Sequence, residues 1–146
     1  MLGGICGHAG LFSDANDLGI LSQMLIQGGT YGGVKYLDPE MIKEYTSQQF
    51  PLNENRRGVG FDRPLPEYSD EGPCCRSASQ SSYGHMGFTG TYIWIDPANG
   101  LTFIFLSNRV YPNADNNRLS SLKIRPKIHQ AIYDAIEKSP NFGDDK

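Results

Sequence analysis

The residues best suited to chemistry lie in one run, Tyr83-Gly84-His85-Met86-Gly87-Phe88-Thr89-Gly90-Thr91. An imidazole donates, accepts or carries charge near neutral pH, which makes His85 the candidate catalytic group. Gly84, Gly87 and Gly90 recur at every third position around it. Glycine weakens a strand, so its repetition marks a bulge or a place where something approaches the backbone closely. A glycine-lined strand edge with one titratable group is where a substrate would lie along the strand. The same residues also fit a twisted hairpin strand with a hydrogen-bonded histidine near its start.

The chain must position that run. Tyr92-Ile93-Trp94-Ile95 continues it with aromatic and β-branched residues, which predicts a strand across 84–95. Asp96-Pro97-Ala98-Asn99-Gly100 supplies a turn, and the apolar run 101–106 predicts a second strand covered on both faces. Helices must therefore lie on each side. One is expected over 14–27, capped by Ser13, with Leu18, Leu21, Met24 and Leu25 inward and Gly28-Gly29 as its stop. Asp38-Pro39 opens a short helix over 39–46. Ile128, Ala131, Ile132, Ala135 and Ile136 mark a closing helix over 126–136, with His129 beside the stripe in a structural or solvent-facing role. Gly58-Val59-Gly60-Phe61 reads as a short strand. The Pro- and Ser-rich stretch to Ser82 reads as a long loop where Arg63, Arg76, Cys74 and Cys75 either line a cleft or face solvent. The fold class is α+β, an antiparallel sheet with flanking helices.

Composition narrows the functions. At 146 residues, 38% hydrophobic and 20% charged, the chain is globular, and a net charge of −3 gives no case for binding nucleic acid. No apolar run reaches membrane-spanning length. Neighbouring Cys74 and Cys75 make a strained pair, and either could bond Cys6. There is no Cys-x-x-Cys and no His/Cys cluster at zinc spacing, Cys6-Gly7-His8 included, so no metal or cofactor is implied. The glycine-rich apolar start, with Leu2, Ile5, Leu11 and Phe12, reads as an interior segment whose exposed surface favours self-association.

Gly84-His85-Met86-Gly87-Phe88-Thr89-Gly90-Thr91, then Ile93-Trp94-Ile95-Asp96-Pro97 and Leu106-Ser107-Asn108-Arg109, resembles the closing hairpin of the serine β-lactamase-like superfamily. That superfamily includes class C β-lactamases, penicillin-binding DD-peptidases and related esterases. Gly7-His8-Ala9-Gly10-Leu11-Phe12-Ser13 with the following helix is similar to the segment after the superfamily's second motif, and 58–61 to the strand before its third. The resemblance implies acyl transfer by a serine, activated by a lysine one helical turn on, with a Tyr-x-Asn tyrosine passing protons. It places His85 at the first position of the His-x-Gly motif. Met86, Gly87, Phe88 and Thr89 line the substrate, and the Phe88 N–H completes the oxyanion hole. Met86 stands where the family carries threonine, which weakens recognition of a substrate carboxylate. Ser120-Ser121-Leu122-Lys123 and Tyr111-Pro112-Asn113 match Ser-x-x-Lys and Tyr-x-Asn, but both follow the third motif where the family has them before it. They read as coincidence. Residues 1–146 are thus expected to form a single partial domain, the C-terminal portion of a β-lactamase/transpeptidase-like fold, inactive alone. Its setting would be the periplasm or cell envelope, its substrate a small molecule or peptide. The alternative is a non-catalytic module that binds a peptide or partner along the strand edge.

Overall fold

The computed structural model describes residues 10–51 and 55–139. Leu2, Ile5, Cys6 and His8 lie outside them. Helix α1 (Ala15–Ile26) begins at Asp14, whose carboxylate accepts from the Asn16 and Asp17 N–H groups at 2.9 and 3.0 Å. The cap is therefore Asp14 rather than Ser13. A carboxylate satisfies two orphan donors and opposes the positive end of the helix dipole. Gly28 and Gly29 end the helix at φ 66° and 90°, and the Gly29 N–H closes on the Met24 carbonyl at 2.9 Å.

A two-stranded hairpin follows, β1 (Thr30–Tyr31) and β2 (Val34–Lys35), then α2 (Pro39–Thr46), capped by Asp38. Residues 58–61 form no strand. Gly58 and Phe61 close a turn, with Gly60 at φ 79°, and only Asp62 reaches the main sheet.

The central sheet is antiparallel in the order β3 (Tyr83–Met86), β4 (Tyr92–Asp96), β5 (Leu101–Phe105). The expected single strand over 84–95 is itself a hairpin, folded at residues 87–91 with Gly84 opposite Trp94 and His85 opposite Ile93. Gly90 at φ 101° permits the fold, because a side chain there strains the backbone. Strand alternation then sorts the faces. Tyr92, Trp94, Leu101, Phe103 and Phe105 face the core that Tyr133 and Ile132 complete, while Ile104 lies beside Gly19 of α1. Helix covers both sides of β5, as its apolar run requires.

After the short α3 (Arg118–Ser121), helix α4 (Ile124–Glu137) supplies the second layer. Its inward face takes only part of the isoleucine–alanine stripe, Ile132 and Ile136, which are half-buried. Arg125, His129 and Tyr133 are buried, whereas Ile128, Ala131 and Ala135 are exposed. Similarly, Ser22 is fully buried in α1 and Leu21 is exposed. In both helices a hydrogen-bonded polar side chain takes the inner position. The Ser22 hydroxyl donates to the Leu18 carbonyl at 2.7 Å, and the Tyr133 hydroxyl donates to Asp96 at 2.5 Å.

Candidate active site on the His-x-Gly strand

β3 is an edge strand that presents His85 on the α1 side of the sheet. The ring is exposed, and its Nδ1–H donates to the Met86 carbonyl at 2.9 Å. That bond places a proton on Nδ1 and leaves Nε2 without a protein partner among the described residues. Leu11, Ser13, Leu18, Met86, Ile93 and Leu106 join His85 around an open cleft of about 460 Å³. Such a surface can seat an apolar acyl group beside a proton acceptor.

Beyond Met86 the chain turns. The Gly87 N–H donates to the Thr91 carbonyl at 2.8 Å and the Gly90 N–H to the Gly87 carbonyl at 3.0 Å. The Phe88 N–H has no acceptor among the described residues. Arg109 holds the turn from the far end of β5. Its Nε donates to the Phe88 carbonyl at 2.7 Å, its backbone N–H to the Thr89 carbonyl at 2.9 Å, and its guanidinium sits 4.5 Å from the Phe88 ring centre. Two further Nη1 bonds, to the Ala114 and Asn116 carbonyls at 3.1 Å, tie in the following loop. The sequence reading gave Arg109 no role. Its signal was a cation three residues past the apolar run 101–106.

The glycines answer to the chain's own packing. A Cβ on Gly84 would lie 2.1 Å from the Ile93 carbonyl oxygen, and one on Gly87 2.1 Å from the Thr91 hydroxyl. A Cβ on Gly90 would meet the Ser107 hydroxyl at 2.4 Å and Leu119 at 2.5 Å. Nor is the strand edge bare. Asp62 exchanges two backbone hydrogen bonds with Gly84, at 2.7 and 3.0 Å, and its carboxylate is paired with Arg56 at 2.8 Å.

The remaining candidates stand apart. His129 is 1% exposed and stacked on Phe103 at 5.0 Å, beside Tyr92 and Tyr133. Burial pushes its pKa down to about 4, so it is a neutral core side chain at pH 7. Cys74 and Cys75 are free, buried thiols pushed up to about 12 and 11, mainly by desolvation, so neither is a thiolate nucleophile at neutral pH. Arg63 serves the fold, donating to the Thr46 and Gln80 carbonyls at 2.5 and 2.7 Å. Arg76 lies over the Tyr68 ring and, with Cys75, lines a surface cleft. Lys123 pairs with Glu71 and donates to the Asp70 carbonyl at 2.8 Å rather than to Ser120, and Tyr111 is exposed on the loop before α3. Among the described residues no group of acidic, histidine and cysteine side chains is arranged for a metal, and no helix is long and apolar enough to cross a membrane.

Comparisons with known proteins bear on the family and the fold. A beta-lactamase family model matches residues 2–124. Putative D-alanyl-D-alanine carboxypeptidases of Salmonella paratyphi B and Salmonella newport are 35% identical over 119 residues, covering 82% of this chain and 27% of each relative. The chain thus spans about a quarter of the length of the curated relatives it matches. A crystal structure of a beta-lactamase from Mycobacterium bovis has the same fold, with a TM-score of 0.61 and 21% identity over 84% of this chain and 44% of that one. With a family match over most of its length and the His-x-Gly hairpin in place, the chain belongs to the serine beta-lactamase-like superfamily.

Proposed function

We propose that this chain is the C-terminal portion of a serine hydrolase domain and forms one wall of an acyl-transfer site. The observation that carries the reading is the pairing of His85 with the Phe88 turn. An imidazole whose Nδ1 is held by the Met86 carbonyl stands three residues before an N–H that has no acceptor among the described residues. In this reading His85 positions and exchanges a proton with the substrate or its leaving group. The Phe88 N–H receives the oxyanion, and Met86, Gly87 and Thr89 line the bound acyl chain. One such N–H contributes about 3 kcal/mol to the transition state. The serine, its lysine and the Tyr-x-Asn tyrosine come from the rest of the family's domain. The substrates that fit are peptides ending in D-alanine, β-lactams or esters, the first suggested by the names of the Salmonella relatives.

The alternative, a peptide added along β3 as a further strand, has less support. Asp62 already occupies Gly84, and the Met86 carbonyl accepts from His85. An extended peptide would find few free partners there.

Activity of the isolated 146-residue chain on a chromogenic β-lactam and a short acyl ester tests the reading. Turnover should not exceed background by more than about a thousandfold, because no activated nucleophile attacks the polarised carbonyl. A stable acyl adduct on Ser120 would overturn it. Mass spectrometry after incubation with a labelled β-lactam distinguishes the two outcomes.

A further inference from the structure

The turn that presents the Phe88 N–H has Phe88 and Thr89 at its centre, and neither is a residue that fixes a turn by its own backbone chemistry. Its internal hydrogen bonds run from the Gly87 N–H to the Thr91 carbonyl and from the Gly90 N–H to the Gly87 carbonyl. A peptide group is planar, so whatever holds its carbonyl also aims its N–H. The Gly87 carbonyl shares a peptide with the Phe88 N–H, and the Gly90 N–H that holds it shares a peptide with the Thr89 carbonyl. That carbonyl accepts from the Arg109 backbone N–H at 2.9 Å. The peptide between these two, Phe88–Thr89, is held at its carbonyl by the Arg109 Nε at 2.7 Å. All three peptides of the turn are thus referred to one residue outside it.

Arg109 is itself braced for this. Its guanidinium lies 4.5 Å from the Phe88 ring centre, and its Nη1 donates to the Ala114 and Asn116 carbonyls at 3.1 Å. It has no carboxylate partner among the described residues. Its donors go to carbonyls, so its charge stays unneutralised beside the turn and favours negative charge arriving there. The seating is close because Gly90 lacks a side chain: a Cβ there would lie 2.4 Å from the Ser107 hydroxyl and 3.6 Å from the Arg109 Cγ.

We propose that Arg109 is the positioning residue of the oxyanion turn: its side chain fixes the Phe88–Thr89 peptide and thereby the direction of the Phe88 N–H. This rests on the acyl-transfer reading, in which that N–H receives the oxyanion. Arg109 touches no substrate and acts only through the turn.

The test compares Arg109→Lys and Arg109→Ala with the unsubstituted protein in a full-length parent, using an acyl ester and the matching thionoester, whose carbonyl oxygen is replaced by sulfur. Sulfur is larger and a weaker acceptor, so a correctly aimed N–H favours the ester, and the ratio of the two kcat/KM values reads the oxyanion turn rather than the fold. Arg109→Ala should lower kcat for the ester by about a hundredfold with KM nearly unchanged, and the ester-to-thionoester ratio should fall with it. Arg109→Lys keeps the charge but meets only part of the carbonyl set, so it should lose about tenfold. In the 146-residue chain the same variants should speed hydrogen exchange of the Gly90 amide while Trp94 and Phe103 in the sheet stay protected. Arg109→Lys retains most of the side chain and remains informative if Arg109→Ala fails to fold. An unchanged ratio in a folded variant, or unchanged Gly90 exchange, would overturn the proposal even if the melting temperature drops. A parent that shows no ester turnover with Arg109 intact would instead overturn the acyl-transfer reading, and this proposal with it.

Discussion

The imidazoles of His85 and His129 lie in opposite surroundings, and substitution should separate their roles. His85→Ala in a full-length parent should lower kcat/KM by roughly one to three decades with little change in melting temperature, because an exposed ring on an edge strand carries little packing. His129→Ala should leave kcat/KM of the folded enzyme nearly intact but cost about 2–4 kcal/mol of stability. It empties a place between Phe103, Tyr92 and Tyr133. Steady-state kinetics beside thermal denaturation decide it, and equal kinetic losses would reduce β3 to a scaffold. His129 also sets a pH dependence. Its folded pKa, about 4, lies below the unfolded value near 6.5, so between these limits the unfolded chain binds more protons. Stability therefore falls as pH drops from about 6.5 to 4, by up to about 3 kcal/mol. Asp96 adds to the loss at lower pH. Burial works to raise its pKa, but the hydrogen bonds from Ser79, Tyr133 and Asn99 outweigh it, so its contribution disappears as pH falls through that depressed value. Denaturant melts at pH 7 and 5 should show the loss, and His129→Phe should flatten the difference.

At the scale of elements, the Gly87–Gly90 turn and the β1–β2 turn place glycine at positive φ for different reasons. Gly33, at φ 81°, has open space where a Cβ would go, so Gly33→Ala pays only backbone strain of about 1 kcal/mol. Gly90 faces both that strain and contacts under 3 Å with Ser107 and Leu119. Gly90→Ala should therefore destabilise by about 2–4 kcal/mol and also shift the Phe88 N–H. Matched urea denaturation of the two variants checks the contrast; equal losses would mean that backbone strain alone matters. Much of this level was legible in the sequence. Asp38-Pro39 fixed the start of α2, and Asn99-Gly100 the β4–β5 turn, because both depend on local backbone chemistry. What was not legible depended on distant partners. The inward faces of α1 and α4 were read only in part, because Ser22, His129 and Tyr133 are polar by type and buried by virtue of what they bond or stack against. The fold-back at residues 87–91 was missed because a turn with Phe88 and Thr89 at its centre lacks the usual Asn-Gly or Pro signal. Of the candidate site, His85 and Phe88 were named from the motif, without the turn that separates them. Asp62 and Arg109 became neighbours of that strand only through tertiary pairing.

Across the whole molecule, several large apolar side chains on or near α1 and α2 are exposed. Leu11 and Phe12 are 79% and 94% exposed, and Leu21, Tyr36, Met41 and Tyr45 are also open to solvent. Exposed apolar surface favours association. Sedimentation should show concentration-dependent oligomers, and Phe12→Glu should shift them toward monomer; a clean monomer over a wide concentration range would count against it. The sheet core offers a separate handle. The chain has one tryptophan, Trp94, fully buried, stacked at 5.7 Å on Tyr92 and donating its indole N–H to Ser82 at 3.0 Å. Its fluorescence therefore comes from one dry, rigid place, the middle strand beneath the candidate site. Emission should be blue-shifted in the native chain and move to the red only when this sheet opens. The light from Trp94 can thus report whether the sheet stays folded while small molecules are added at its surface.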